Sequence, residues 1–258
     1  NTRQHNTTQN ATNCDERTKR QMATATTLQT LLAGAAAGFG VALFLTRRAA
    51  SASASASASA SSGVKGLRHV SDVTVRRTLS MVRTIAVNRE AFLAHHRGGE
   101  EVIVPRRIVM RRENGSTLFK PAAVGSSIGL KVVSVRPSNA ERGLPTVPAV
   151  MVLLDDRTGV ARMTMDATWL TAMRTAAGSA LATDALAAKH SKIMIVFGAG
   201  LQAEAHIIAM LEVRNSVKEV IIVNRTEARG MRLVSEMRQK FPGCSFSFRR
   251  RADASLVS

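Results

Sequence analysis

The chain has 258 residues, which at roughly 150 residues per domain allows one or two domains and a tail. A hydrophobic fraction of 45% supplies a core and excludes wholesale disorder, and two cysteines, Cys14 and Cys244, exclude a disulfide framework or a four-thiolate zinc centre. The 36 Lys and Arg against 18 Asp and Glu leave a formal charge of +18, which points to an anionic partner such as nucleic acid, a membrane surface or a phosphorylated cofactor.

The charge is spread along the chain. Residues 1–62 carry six basic and two acidic side chains, and the remainder carries 30 and 16. The densest clusters are Arg106-Arg107, Arg111-Arg112 and Arg249-Arg250-Arg251. Readers of single-stranded nucleic acid interleave such cations with aromatic rings that stack on bases. With eight Phe, one Trp and no Tyr, a stacking platform is not expected here, and no nucleic-acid partner is expected.

Residues 1–20 are polar, rich in Asn, Thr and Gln, and without periodicity, so they read as disordered, or as untranslated if Met22 is the start. Gln21 to Thr46 carries no charge, and Leu31 to Leu45 is almost wholly apolar before Arg47-Arg48. A spanning helix needs about 20 apolar residues, and a cleavable secretory signal carries its cations ahead of the apolar run. Two targeting readings stand: a signal anchor contacting the membrane through 27–46, or an organellar presequence for mitochondrion or plastid. Residues 17–71 contain no acid, which suits the second. An uncleaved low-complexity leader is the third reading, and without residues 22–62 a cytoplasmic location is expected. The alternating Ser-Ala run over 51–62 has too little apolar bulk to pack and reads as a linker.

The folded part is expected from Val64. Between Thr74 and His96, Val75, Leu79, Val82, Ile85 and Ala86 recur at three- and four-residue steps, which predicts one helix ending at Gly98-Gly99. Val102–Val104, Arg107–Met110, Ser127–Val135 and Ala149–Leu154 predict short strands. Glu113–Ser116 and Asp155–Gly159 predict turns between them. Leu170 to Lys189 predicts an Ala-rich helix, and from Lys192 the order becomes strand, glycine turn, helix, strand, helix. The expected organisation is a leader over 1–63, a sheet-rich first domain over 64–190, and a strand–turn–helix–strand–helix unit over 191–258.

The glycine turn is the most specific local feature. Lys192–Phe197 is an apolar strand-type run followed directly by Gly198-Ala199-Gly200-Leu201-Gln202-Ala203, a helical segment to Val213, and a second apolar run over Glu219–Val223. In that context a G-x-G-x-x-A pattern is meaningful: the first glycine allows the tight turn, the second lets the backbone approach a pyrophosphate, and the small third residue lets helix pack on strand. The helix N-terminus then presents free N–H groups to the phosphates. At the tip of the second strand stands Asn224-Arg225-Thr226. An acid there would bind the ribose 2′-OH of NAD(H); its absence, with Arg225 available to a 2′-phosphate, favours NADP(H) over NAD(H). Arg225 could equally be a solvated loop cation or stack on the adenine.

Three further cations stand in apolar surroundings. Arg174 is the only charge between Leu170 and Thr183, Lys131 interrupts the strand Ile128–Val133, and Arg107 precedes a third apolar run. A buried cation is costly unless paired, and a substrate carboxylate could supply the pairing, as could a protein carboxylate or water.

These features together resemble the ornithine cyclodeaminase/mu-crystallin family. The resemblance runs over roughly residues 75–250 and rests on Leu170–Ala177 with its Arg-Thr-Ala-Ala, on Gly198–Ala203, and on Gly143–Val147 followed by Asp156–Gly159. It implies a Rossmann domain joined to a mixed α/β substrate and dimerisation domain, a homodimer in the family's manner, and hydride transfer between a nicotinamide and the α-carbon of an amino acid or its imine. Members convert ornithine to proline and ammonia, reduce cyclic ketimine carboxylates, or act as alanine dehydrogenases, while mu-crystallin-type members can bind NADPH and a small ligand without catalysis. The resemblance assigns Arg107, Lys131 and Arg174 to the substrate carboxylate. It assigns Gly198, Ala199, Gly200, Gln202 and Ala203 to the pyrophosphate, and Asn224, Arg225 and Thr226 to the 2′-phosphate. No metal is implied, and the family's catalytic Asp is expected beyond Ser258. Lys120-Pro121-Ala122 stands where relatives often have Met-Pro-Ala.

Overall fold

The computed structural model describes residues 67–98, 102–125 and 127–250; the leader, including 27–46, lies outside them. Among the described residues no helix is long and apolar enough to cross a membrane. The fold is α/β, with one mostly antiparallel sheet and one parallel sheet.

The first sheet is built from β1 (Arg68–Val70), β2 (Val102–Ile103), β3 (Ile108–Arg112), β4 (Gly115–Val124), β5 (Ser127–Val135), β6 (Ala149–Asp155) and β7 (Ala161–Asp166). Its order is β1-β7-β6-β5-β4-β2, with β3 also pairing β4. Along β5 burial alternates residue by residue, with Ser127, Gly129, Lys131 and Val133 inward, the pattern of a sheet covered on one face.

That face is covered by helices. The expected single helix over Thr74–His96 is two: α1 (Asp72–Thr78) and α2 (Met81–Arg97). Leu79 takes an extended conformation and Ser80 caps α2, its Oγ accepting from the Arg83 amide at 3.4 Å. The apolar rhythm runs through the break because Leu79 stays in the core, so the sequence pattern cannot register it, whereas a serine favours a helix start.

Strand β4 was not among the expected strands, because Lys120 and Pro121 interrupt its pattern and a proline counts against a central strand. The structure resolves the conflict. β3 reaches β4 only as far as Phe119, and β2 only from Ala123, so Lys120, Pro121 and Ala122 pair with β5 alone. Pro121 therefore occupies a stretch with a partner on one side only, where a missing N–H can be tolerated.

Helix α3 (Thr168–Leu186) lies on the inward face and ends three residues before the expected Lys189. Trp169, Leu170 and Met173 join Met151, Leu153, Met163 and Met165 of β6 and β7 in one buried cluster. The same cluster holds Ala176, Ala177 and Ala180 of α3 with Ala205 and Ala209 of α4 (Leu201–Val213). Alanines on both helices let the backbones approach closely, so α3 is shared between the first sheet and the second unit.

The second sheet has the order β10-β9-β8, all parallel, from β8 (Ile193–Phe197), β9 (Glu219–Asn224) and β10 (Ser245–Arg250), with α4 and α5 (Glu227–Lys240) as crossovers. Val220 and Ile222, two residues apart on β9 and so on one face, are fully buried with Ile207 of α4 and Leu233, Val234 and Met237 of α5. This is the Rossmann-type arrangement expected from Lys192 onward.

Arg214 ties the two units together and carried no signal in the sequence. It is 4% exposed, and its guanidinium donates to the Asp184 carboxylate at 2.8 Å and to the carbonyls of Thr183, Asp184 and Ala187. It thus satisfies the orphan carbonyls at the C-terminus of α3 from the end of α4. Hydrogen bonds from Lys189 and Arg214 hold the Asp184 carboxyl down to about 2. Arg214→Ala is expected to destabilise the protein by about 2 kcal/mol, the loss of charge-assisted bonds to part-buried carbonyls, read as a shift of the urea midpoint.

Candidate functional site

Lys131 stands on β5 directly opposite Lys120 of β4, with Met151 of β6 on its other side. Side chains at directly opposed positions share a face, and like charges so placed repel. Lys131 is 5% exposed, and its ammonium has no hydrogen-bond partner. Arg174, on the second turn of α3, reaches the same region: it depresses the ionisation of both lysines, and its own buried Nε is unpartnered. Arg107 also acts on Lys120, and the sheet shows why. Residues 104–107 span the gap between β2 and β3 opposite Lys120, Pro121 and Ala122, so the loop that ends in Arg107 passes beside Lys120.

The structure thus brings Lys131 and Arg174 together and adds Lys120, which the sequence marked only as a departure from Met-Pro-Ala, while Arg107 stands exposed at the margin beside Lys120. No ion pair joins any of the four to a described carboxylate. Of the alternatives open for these cations, pairing with a protein carboxylate is therefore not what the described residues show. Burial, then Arg174, then Lys120 push the Lys131 ammonium well below its ordinary value of 10.5. Burial, then Arg174, then Arg107 lower Lys120 as well. Burial lowers Arg174. Such a cluster can accept an anion, which would relieve desolvation and mutual repulsion together.

The glycine turn lies at the C-terminal end of β8. Gly198 has φ +107°, a conformation open to glycine, and its N–H is held by the Val223 carbonyl at 2.8 Å, which fixes the turn against β9. Gly200 caps α4. A Cβ built on Gly198 or Gly200 would meet nothing within 4 Å, so the protein's own packing does not fill the space beside either backbone. Ala203, by contrast, is buried in the second core. The residues fit a dinucleotide pyrophosphate: open backbone at Gly198 and Gly200, with Ala199 tucked into the second core between them, and a 13-residue helix behind them. Gln202 is exposed at the first turn of α4, and its carbonyl accepts from His206 Nδ1 at 2.7 Å. Because a carbonyl only accepts, Nδ1 carries the proton, and in neutral His206 the other nitrogen accepts from the Ser179 hydroxyl of α3 at 3.1 Å. Helix α4 was expected from Ala203 and begins at Leu201, so that the turn leads straight into it.

At the tip of β9 Asn224 closes the loop by donating from Nδ2 to the Thr226 carbonyl at 2.8 Å. Arg225 is exposed, and Thr226 occupies the N-cap of α5 with its hydroxyl making no cap bond. Among the described residues no His, Cys, Asp and Glu gather in a group able to hold a metal ion.

The buried cations make a sign-definite prediction. Lys131 ionises less readily in the fold than in the unfolded chain, so its charge opposes folding below its folded value, and that penalty fades as pH rises toward 10.5. Lys131→Met is expected to raise the stability of the ligand-free protein by roughly 1–4 kcal/mol at neutral pH while abolishing carboxylate binding. The gap in Tm between variant and wild type should narrow on raising the pH. A variant less stable than wild type would show that the ammonium is already satisfied.

Residues 64–246 match the ornithine cyclodeaminase/mu-crystallin family. An uncharacterized cyclodeaminase of Dictyostelium discoideum is 32% identical over 189 residues, 66% of this chain and 51% of that protein. The structure of Thermococcus litoralis Delta(1)-pyrroline-2-carboxylate reductase in complex with NADH and L-proline superposes with a TM-score of 0.69 at 33% identity, covering 72% of this chain and 58% of that one. An archaeal alanine dehydrogenase dimer with bound NAD gives a TM-score of 0.66 at 30% identity, covering 73% and 57%. The chain spans about half the length of the cyclodeaminase it matches. With the motifs, the fold and these likenesses in agreement, the chain belongs to the ornithine cyclodeaminase/mu-crystallin family.

Proposed function

We propose that the protein is an NAD(P)(H)-dependent enzyme of amino-acid or cyclic-imine metabolism, either converting ornithine to proline and ammonia or reducing cyclic ketimine carboxylates. The observation that carries this reading is the pair Lys131 and Arg174, each with a buried nitrogen that no described group engages, in a fold that also builds an open glycine turn. A small α-amino or α-imino carboxylate supplies the missing anion. The planar Arg174 guanidinium can take both oxygens of a carboxylate, and Lys131 adds a point charge from the sheet. Fixing the carboxylate fixes the α-carbon attached to it, and such positioning lowers the barrier by converting an encounter into an oriented contact.

When bound, a nicotinamide dinucleotide supplies or takes the hydride. Reduction adds hydride to the imine carbon and a proton to its nitrogen, giving the amine. Cyclodeamination oxidises the α-amine to an imine, the terminal amine adds to that carbon, ammonia leaves, and the ring imine takes the hydride back, so no net redox change remains. In both, this chain's residues bind and orient the carboxylate end. In the same reading, residues 64–190 form the substrate and dimerisation domain of a homodimer, and 191–258 begin the dinucleotide domain.

NADP(H) is the proposed cofactor. Asn224, Arg225 and Thr226 put an exposed guanidinium and a free hydroxyl at the tip of β9, where a 2′-phosphate would lie. Arg225→Asp is expected to weaken NADPH binding about tenfold or more, the value of one charge-assisted phosphate contact, with a smaller effect on NADH, measured by fluorescence titration.

The full-length protein should oxidise NADPH with piperideine-2-carboxylate or form proline from ornithine. Tight NADPH binding with neither reaction would replace the enzyme reading by that of a nucleotide-binding protein.

A further inference from the structure

Lys120 is a cation that the carboxylate site does not require. A single carboxylate carries one negative charge, which Arg174 and Lys131 can already engage from two sides. The fold nonetheless keeps a further ammonium directly across the strand pair from Lys131, on the inward side of β4 that also carries the buried Ala122 and Val124. That placement is costly. Two lysines at opposed positions repel, and no described carboxylate pairs with either. The β4 stretch around Lys120 has a strand on one side only, and the loop ending in Arg107 fills the other, so two cations border the site on the side away from β6. Lys131 Nζ, buried and unpartnered, marks the point from which a ligand must extend toward them.

We propose that Lys120, with Arg107 beside it, binds a second carboxylate of the substrate, so that this site selects imino or amino acids with two carboxylates over those with one. The inference rests on the reductase or cyclodeaminase reading above and sharpens its substrate class. One carboxylate sits between Arg174 and Lys131, and the other lies toward Lys120 and Arg107. A dianion neutralises more of the cluster than a monoanion. It therefore recovers more of the repulsion and desolvation that opposed register and burial impose on the two lysines. Such discrimination is large when a site's own polar groups go unpaired with the wrong ligand. The chemistry at the α-carbon is unchanged: hydride to carbon, proton to nitrogen.

The test compares piperideine-2-carboxylate with piperideine-2,6-dicarboxylate in the full-length protein with NADPH, and the saturated pair, pipecolate and piperidine-2,6-dicarboxylate, in equilibrium binding with NADP+. Wild type should favour the dicarboxylate in kcat/KM by about tenfold or more, the ratio expected from one further charge-assisted contact. Lys120→Met should reduce that ratio by a similar factor, and Lys120→Arg should keep most of it. Lys120→Gln, closer in polarity, replaces Lys120→Met if the latter does not reach the wild-type Tm. A ratio unchanged in both neutral variants, or a wild type that favours the monocarboxylate, overturns the inference. If neither imine is reduced and no proline forms from ornithine, the enzyme reading falls. The saturated pair then decides Lys120 separately: a Lys120-dependent preference for the diacid upholds its role as a second-carboxylate ligand, and equal binding of the two overturns it.

Discussion

The close packing of α3 on α4 is the constraint on which the rest depends. Ala176, Ala177 and Ala180 meet Ala205 and Ala209 in a single buried cluster, and Arg214 locks the far end by taking up the last carbonyls of α3. Helix α3 carries Arg174 over the first sheet, and α4 begins at the glycine turn. One helix pair therefore sets Arg174 and the glycine turn, the proposed carboxylate and phosphate ligands, in a fixed relation. Larger side chains on that seam would part the helices and both functions with them.

The first sheet contributes what the helices cannot, a floor of inward-facing lysines. Positions two apart on a strand point the same way, and register puts Lys120 opposite Lys131. The fold accepts repulsion and desolvation at these positions, which would count as defects in a structural core. In the proposed function an anion would relieve both costs at once, which an apolar pocket could not do, and selectivity for anions would follow.

Much of this was legible from residue order. Strand β5 was expected at its observed bounds, β6 one residue short of its own, and the strand–turn–helix–strand context of Gly198 to Ala203 emerged as the Rossmann-type unit. Arg174 stood out because a lone charge on an Ala-rich helix face has few inexpensive explanations. Other elements resisted for definite reasons. Leu79 keeps the helical rhythm across a break made by its backbone, and Pro121 disguises β4 because the gap that tolerates it belongs to the pairing of β2 and β3. Arg214 looks like any surface arginine until the C-terminus of α3 arrives beside it.

The sequence by itself determined the class of fold, the glycine turn and the standing of Lys131 and Arg174 as isolated charges in apolar runs, because these depend on local spacing, backbone freedom and the cost of isolated charge. Tertiary structure decided which cations meet. Lys120 and Arg107 join Lys131 and Arg174 only through strand register and a loop that crosses a gap between two short strands. Register and gap are set by long-range pairing, and electrostatic coupling depends on distance in space, which separation along the chain does not report.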